Sequence, residues 1–186
     1  STLSSSSAAS DVYKRQGIIW KDYIGDIIET YKGIAAQKTE NKAVIVYESV
    51  WKHTQQIAES LAEGFSDAGM DVKVYKLSDT KSSIVMREIM DAKVVCIGSG
   101  TYNNVMAPSV AAFLEHIRPC KLKNKKGLAF AAYGWFNQVA KEIDTRMQQS
   151  GIESCHDVIN QCYTPSDDQL EDYYNIAKEI AKNCQE

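Results

Sequence analysis

The sequence has no long hydrophobic run, no excess of positive charge and no stretch that approaches the roughly 20 consecutive apolar residues of a membrane-spanning helix. Lys and Arg number 21 against 24 Asp and Glu, which gives a formal net charge of −3. That balance argues against nucleic-acid binding by phosphate neutralisation and against a basic membrane anchor. We therefore expect no nucleic acid and no membrane as a partner.

Cysteine and histidine are few and scattered. The five cysteines form no C-x-x-C pair, and His53, His116 and His156 have no spacing typical of a metal site. An odd set of unpaired cysteines favours a reducing compartment. We therefore expect a cytoplasmic protein with no disulfide framework and no metal site in this chain.

Residues 1–16 differ in composition from the rest of the chain. Residues 1–10 are mostly Ser and Ala, and residues 11–16 read DVYKRQ, which resembles the translation of a transposon end used to fragment DNA for sequencing. The segment lacks the basic start and apolar core of a signal peptide. We interpret residues 1–16 as a disordered sequencing or assembly scar, with a genuine disordered tail as the alternative. The natural chain is then expected to continue upstream of Gly17.

From residue 21 onward, helical and strand patterns alternate. Continuous apolar runs at 43–47, 93–97 and 127–132 are typical of strands covered on both faces. Two edge strands are predicted, at 72–77, which carries two lysines, and at 154–159, which alternates weakly. Amphipathic helices are predicted at 21–36, 54–68, 84–90, 109–117, 139–150 and 166–184. Five strands alternating with helices predict an α/β fold, a doubly wound parallel sheet in the order 2-1-3-4-5 with helices on both faces.

The loop after the first strand offers a phosphate site, because ligands of such sheets bind beyond the carboxyl ends of the strands. Thr54 is expected to open a helix whose unpaired N–H groups and dipole attract an anion, with a plain N-cap as the alternative. No nucleoside-triphosphate loop and no dinucleotide glycine fingerprint is present. The candidate binding residues in this loop are Ser49, Val50, Trp51, Lys52, His53 and Thr54.

The loops after the third and fourth strands supply amides and aromatic rings. Their amides and exposed backbone suit the edge of a flat heterocycle, and Trp135 suits stacking on its face. A long strand-to-helix turn and ordinary aromatic packing are the respective alternatives. The three loops together describe a planar heterocycle on a monophosphate, and FMN is the ligand that fits. The candidate residues are Ser99, Gly100, Thr101, Tyr102, Asn103 and Asn104 in one loop, and Tyr133, Gly134, Trp135, Phe136 and Asn137 in the other.

The same segments resemble a known family. Residues 47–54, 98–104 and 132–135 are similar to the flavin loops of flavodiiron proteins (A-type flavoproteins), in which a diiron domain precedes a flavodoxin-like domain. The resemblance implies that residues 17–41 are the end of the diiron domain and a bridging helix and linker. It also implies that residues 42–186 are the flavodoxin-like FMN-binding domain. Gly100 stands where the family often has proline, and Phe136 and Asn137 stand where small residues are usual, so the pocket is expected to differ in detail.

The resemblance implies an electron-transfer domain of an oxygen or nitric oxide reductase. A rubredoxin-type donor or a reductase would supply electrons, and a diiron centre outside this chain, in a head-to-tail homo-oligomer, would receive them. Alone, the chain is expected to be an FMN-dependent oxidoreductase module that only carries electrons and needs no catalytic acid, base or nucleophile. The alternatives are a stand-alone flavodoxin or a flavodoxin-like quinone reductase, which the helix at 21–36 disfavours. A phosphoacceptor domain would need an acidic cluster after the first strand and an Asp after the third, where the sequence has Glu48-Ser49 and Ser99-Gly100, and a purely structural domain is a further alternative.

Overall fold

The computed structural model describes residues 24–185. The chain divides into two compact units, Ser1–Ala36 and Gln37–Glu186. The described part of the first unit is helix α1 (Ile24–Ala36), which falls within the predicted helix at 21–36. The interpretation of residues 1–16, and that of residues 17–20 as the end of a preceding domain, lie outside the described residues.

The second unit alternates strands and helices along the chain. None of the helices within residues 24–185 is long and apolar enough to cross a bilayer. A short 3₁₀ turn, Arg118–Cys120, follows α4. The elements in order are β1 (Glu40–Glu48), α2 (His53–Asp67), β2 (Asp71–Lys76), α3 (Ser82–Met90), β3 (Ala92–Tyr102), β4 (Val105–Met106), α4 (Pro108–Ile117), β5 (Lys126–Tyr133), α5 (Val139–Gln149), β6 (Glu153–Ser154), β7 (Ile159–Cys162) and α6 (Asp167–Gln185).

The strands form one sheet whose main ladders are parallel. The order is β2-β1-β3-β5-β6, with β7 also paired to β5 and β4 antiparallel to β3. Because β6 and β7 together occupy the place of the predicted fifth strand, the predicted order 2-1-3-4-5 is confirmed. The chain leaves β1 towards one side of the sheet and returns at β3 on the other, so the strand order reverses between these two strands. In open α/β sheets, that point is where ligands bind.

The predicted edge strand at 154–159 is wrong in its bounds. The edge is two short strands, because β6 pairs with the start of β5 and β7 with its second half. Between these ladders, residues 155–158 lie opposite only Leu128 and Ala129, so the edge chain carries extra residues that leave the ladder. Such a bulge breaks the alternation of inward and outward side chains, which is the signal that a sequence pattern uses.

The second predicted loop is partly a hairpin. β3 continues to Tyr102, and β4 returns beside it through Thr101–Met106 and Tyr102–Val105 pairs. The two central residues, Asn103 and Asn104, have φ values of 47° and 67°. Asparagine tolerates this left-handed region better than most residues, because its short amide side chain bonds locally.

The two faces of the sheet carry separate hydrophobic layers. Alternate β1 side chains divide between them, with Ala43 and Ile45 on one face and Val44 and Val46 on the other. The first layer packs against α2 and α6, and the second against α3, α4 and α5. This two-sided burial explains the continuous apolar runs of the central strands.

Candidate functional site

The carboxyl ends of β1, β3 and β5 border a cavity of about 250 Å³. All three predicted loops reach it, so the fold brings together the segments that the sequence singled out. The first loop contributes Ser49, Val50, Trp51, His53 and Thr54, the hairpin contributes Gly100, Thr101 and Tyr102, and the loop after β5 contributes Tyr133, Gly134 and Trp135.

Helix α2 begins at this cavity without a side-chain cap. Its N-cap residue is Lys52, which has a φ of 66° and makes no capping hydrogen bond with its side chain. The Lys52 carbonyl accepts the first helical bond from the Gln56 N–H at 2.9 Å. Thr54 lies one residue inside the helix and is only 1% exposed, so the alternative of a plain Ser or Thr N-cap is wrong. The first amides of the helix therefore have no side-chain acceptor from the N-cap position.

The carboxylate of Glu48 is buried beside this loop and is held by neighbours. Its Oε1 accepts the Ser49 N–H at 3.1 Å, and its Oε2 accepts the Ser109 hydroxyl at 3.2 Å. Burial, and then the charge of Glu48, raise the pKa of Tyr102 above its ordinary value. This shift moves the titration of the Tyr102 phenol further from neutral pH, where the group is protonated and can donate a hydrogen bond.

The hairpin is fixed at its base and presents one unsatisfied hydroxyl. The Ser99 hydroxyl donates to the Gly100 carbonyl at 2.7 Å and accepts the Ala107 N–H at 2.8 Å. Further along, the buried Oγ1 of Thr101 has no hydrogen-bond partner, although Thr101 lines the cavity. A Cβ added at Gly100 would make only ordinary contacts, 3.5 Å from the Tyr102 ring and 3.7 Å from the Thr54 Oγ1. Packing within the protein therefore does not require glycine at position 100.

Aromatic side chains stand at the mouth of the cavity. Trp51 is 79% exposed and Trp135 is 82% exposed. The Trp135 Nε1–H donates to Asn104 Oδ1 at 3.1 Å, which links the loop after β5 to the tip of the hairpin. Exposed indole rings at a cavity mouth provide flat apolar surface for a ligand or a partner.

Two further lining residues, Ala132 and Tyr163, are not among the predicted binding residues, although Ala132 belongs to the segment 132–135 that resembles the family's flavin loops. Ala132 immediately precedes the predicted third loop. Tyr163 follows β7, and its backbone N–H donates to the Tyr133 carbonyl at 2.8 Å. Its φ of 56° is unusual for an aromatic residue. The rule that pointed to the ends of the other strands would have found Tyr163 if the end of the fifth strand had been predicted correctly.

Six predicted residues do not line the cavity, so their part in binding stays a prediction. Ser99 is buried at the base of the hairpin, and Phe136 packs partly against the core layer of α3, α4 and α5. Asn137 is exposed and accepts a bond from the Gln138 amide at 3.0 Å. The other three are Lys52 at the N-cap of α2 and Asn103 and Asn104 in the hairpin turn.

Known proteins share this fold. A family model described as flavodoxin matches residues 45–176. A nitric oxide reductase of Moorella thermoacetica is 36% identical over 166 residues, which cover 89% of this chain and 42% of that protein. The structure of rubredoxin oxygen:oxidoreductase from Desulfovibrio gigas superposes with a TM-score of 0.82 at 33% identity, covering 85% of this chain and 39% of that one. The flavodiiron protein of Giardia intestinalis gives a TM-score of 0.83 at 27% identity, covering 91% of this chain and 42% of that one.

The chain therefore spans about two fifths of the length of these relatives. The matched family model covers well over half of the chain, and it includes the ends of β1, β3 and β5 that form the cavity. The chain belongs to the flavodoxin family, and it matches the flavodoxin-like domain of flavodiiron proteins.

Proposed function

We propose that this chain binds FMN in the cavity and serves as the electron-transfer domain of a flavodiiron-type oxygen or nitric oxide reductase. The observation that carries the proposal is that the cavity combines hydrogen-bond donors with exposed aromatic rings. An uncapped helix terminus lies at one side, an unsatisfied hydroxyl lies in the wall, and exposed indole rings stand at the mouth. A monophosphate joined to a planar heterocycle is complementary to each of these features.

The start of α2 fits the phosphate. The first N–H groups of a helix lack internal partners and carry the positive end of the helix dipole, so they bind phosphate without a metal. The hydroxyls of Ser49 and Thr54 border the same cavity and can donate to phosphate oxygens. Lys52 precedes the helix and adds positive charge nearby.

The hairpin fits the polar edge of the ring. A buried hydroxyl without a partner costs about 1–3 kcal/mol, and a ligand atom that bonds to it removes that cost. Thr101 presents such a hydroxyl, and the absence of a side chain at Gly100 leaves room for close approach of a ligand to the backbone. We therefore propose that this wall of the cavity contacts the heteroatoms at the edge of the flavin ring.

The aromatic rim fits the faces of the ring. Trp51 and Trp135 offer indole surfaces whose exposure would fall when a planar ligand is bound. When bound, FMN supplies the one- and two-electron chemistry, which belongs to the cofactor. The chain binds and orients the ring and excludes water from part of it.

The proposed partners follow from the relatives. The names of the relatives include a nitric oxide reductase and a rubredoxin oxygen:oxidoreductase. We propose a rubredoxin-type or reductase donor and a diiron centre carried by another domain as the acceptor. We also propose a homo-oligomeric assembly of the whole protein and a cytoplasmic location.

Reconstitution tests the flavin assignment. Purified chain is incubated with FMN, FAD or riboflavin, and the flavin retained after gel filtration is released by heat and identified by mass. We expect FMN to be retained at about one molecule per chain. Retention of FAD instead, or of no flavin, would contradict the assignment.

A donor assay tests the electron relay separately. Reduced rubredoxin is mixed with the FMN-loaded chain, and flavin bleaching is followed by absorbance. Rapid bleaching is expected for a relay domain. FMN binding without reduction by rubredoxin, but with reduction by a nicotinamide-dependent reductase, would favour the second kind of donor.

A further inference from the structure

The hairpin tip and the loop after β5 are joined by one side-chain hydrogen bond. The Trp135 Nε1–H donates to Asn104 Oδ1 at 3.1 Å. Trp135 is 82% exposed, and Asn104 is exposed as well, so burial fixes neither side chain. The bond therefore connects two side chains that are otherwise exposed to solvent.

The residue at position 104 is not the one that the turn itself favours most. Both central residues of the turn have positive φ, as in the two-residue hairpins for which Asn-Gly is among the preferred pairs. Glycine at position 104 would adopt this backbone without strain. Asn104 instead supplies a side-chain acceptor, which the indole N–H uses.

The two linked segments both line the cavity. Gly100, Thr101 and Tyr102 precede the turn on the hairpin, whereas Gly134 and Trp135 lie on the other loop. The base of the hairpin is held by two hydrogen bonds of Ser99, whereas the tip residues Asn103 and Asn104 are exposed, so little but the bond to Trp135 restrains the tip. This bond restricts movement of the tip before any ligand arrives.

We propose that Asn104 is a positioning residue for the flavin ring, acting through Trp135 as a latch between the hairpin and the loop after β5. The proposal rests on the proposed function, because the latch is assigned to the flavin cavity. The latched chain is already in the binding-competent arrangement. An unlatched chain must reach that arrangement first, which weakens apparent affinity by the fraction that is competent. A hydrogen bond of ordinary net strength corresponds to about a two- to tenfold effect.

A double-mutant cycle on FMN affinity tests the latch. Asn104→Gly removes the acceptor and keeps the turn, and Trp135→Phe removes the N–H and keeps a ring. Each single variant is expected to weaken FMN binding, Asn104→Gly by about two- to tenfold. The loss caused by Trp135→Phe is expected to be smaller in the Asn104→Gly background than in the wild-type chain. If the double variant shows the product of the two single losses, the residues act independently and the latch is overturned.

Two matched variants control the cycle. Asn124→Gly makes the same substitution at an asparagine that also has positive φ (58°) but does not line the cavity, so its FMN affinity should equal that of the wild-type chain. Asn104→Asp keeps an oxygen acceptor and tolerates positive φ, so it should bind more like the wild-type chain than Asn104→Gly does. Failure of Asn104→Asp to exceed Asn104→Gly would contradict a role for the acceptor.

A ligand-free measurement separates the latch from the flavin assignment. Hydrogen exchange of the Trp135 indole N–H is followed by nuclear magnetic resonance in the isotope-labelled apo chain, with Trp51 as an internal reference. Asn104→Gly should accelerate exchange at Trp135 alone, without lowering the melting temperature. Unchanged exchange overturns the latch whether or not FMN binds. Accelerated exchange in Asn104→Gly, combined with a wild-type chain that does not bind FMN, overturns the proposed function, and with it the positioning of flavin.

Discussion

Thr54 occupies an unusual place for a buried hydroxyl residue at a helix start. It is inside the first turn rather than at the N-cap, and it lines the cavity. We expect Thr54→Val, which keeps the shape and removes the hydroxyl, to weaken FMN binding by about 1.5–3 kcal/mol, the range for a hydrogen bond to a charged group. Isothermal titration with FMN and with riboflavin, which lacks the phosphate, measures the effect.

Riboflavin is the internal control for Thr54. Its affinity should hardly change in Thr54→Val, because no phosphate is present to lose a bond. Thr145→Val is the matched control variant, since the Thr145 hydroxyl donates within α5, to the Lys141 carbonyl at 2.9 Å, and Thr145 does not line the cavity. Equal losses for FMN and riboflavin would mean that Thr54 supports the cavity wall and does not contact phosphate.

Tyr163 combines a strained backbone with an exposed ring at the cavity. A non-glycine residue at positive φ is held at a cost of the order of 1–3 kcal/mol, and such residues cluster at functional sites. The ring is 61% exposed and contributes little to the core. We expect Tyr163→Asn, which tolerates this backbone, to leave the unfolding free energy of the apo chain within about 1 kcal/mol while weakening FMN binding.

Tyr163→Phe separates the ring from the hydroxyl. It keeps the aromatic surface, so FMN affinity is expected to stay near the wild-type value. Urea unfolding of the apo chain and fluorescence titration of flavin are the two measurements. A loss of stability in Tyr163→Asn without any loss of flavin affinity would place Tyr163 in the structural framework instead.

The contact between α2 and α6 depends on one glycine. A Cβ at Gly64 would lie 2.3 Å from the Tyr174 carbonyl oxygen and 2.8 Å from the Ala177 Cβ, so the two helices would have to separate. Helix propensity alone favours alanine over glycine by about 1 kcal/mol, whereas overpacking costs about 1–3 kcal/mol. We expect Gly64→Ala to lower the unfolding free energy, measured by urea denaturation.

Gly33→Ala is the matched control for this helix contact. Gly33 lies within α1, and a Cβ added there meets nothing within 4 Å. Propensity is then unopposed, so the substitution should be neutral or slightly stabilising. A Gly64→Ala chain as stable as Gly33→Ala would show that the two helices readjust without cost.

The predictability of each element followed from how it is buried. β1, β3 and β5 are covered on both faces, so their apolar runs predicted them and, with the alternation of helices, the strand order. The hairpin was not predicted, because β4 has only two residues and its partner strand simply extends an already predicted one. The bounds of β6 and β7 could not be predicted from the sequence, because side chains do not alternate between inward and outward across the bulge.

The candidate site was also predictable only in part. Its three main loops follow strands that the pattern located, so the rule of carboxyl ends found them. Tyr163 follows the strand whose end was misplaced. The bond between Asn104 and Trp135 joins residues 31 positions apart in the chain, and no local pattern marks such a pair.

The end of the sheet opposite the cavity carries buried charge. Lys42 pairs with Glu88 at 2.7 Å and Asp91 at 2.9 Å. The Lys125 Nζ donates to the carbonyls before and after Asp91 at 2.8 and 3.1 Å. Burial lowers the pKa of Lys125 to about 8, an effect that Asp91 partly opposes and Lys42 adds to. The buried ammonium of Lys125 therefore disfavours the folded state wherever it is protonated.

The lowered pKa of Lys125 predicts that the unfolding free energy rises at alkaline pH. Below about pH 8, Lys125 is protonated in both states and the cost of burying its charge is fully present. Between about pH 8 and the ordinary lysine pKa of 10.5, the unfolded chain holds more protons than the folded chain. The unfolding free energy therefore rises with pH over this range. Lys125→Met should lack this contribution. Urea unfolding at pH 7.5 and pH 10 gives the change for each chain.

The comparison between the two chains isolates Lys125. Tyr47, Tyr102 and Tyr173 have pKa values raised by burial, so their titration reduces stability in the same alkaline range. Their contribution is shared by the wild-type chain and Lys125→Met. The wild-type chain should therefore gain more, or lose less, between the two pH values. An identical change in both chains would contradict the lowered pKa.

The isolated chain is expected to accept and release electrons through bound FMN without holding stoichiometric iron. A diiron site needs several histidine and carboxylate ligands in one place. The sequence has only His53, His116 and His156, which lie at the start of α2, in α4 and between β6 and β7. Within residues 24–185, no group of three or more potential ligands could hold a metal ion. Dithionite reduction and air reoxidation should therefore give a reversible flavin spectrum, with iron far below two atoms per chain and nitric oxide consumption no faster than with free FMN. Iron near two atoms per chain together with rapid nitric oxide reduction would show that the chain carries the complete activity.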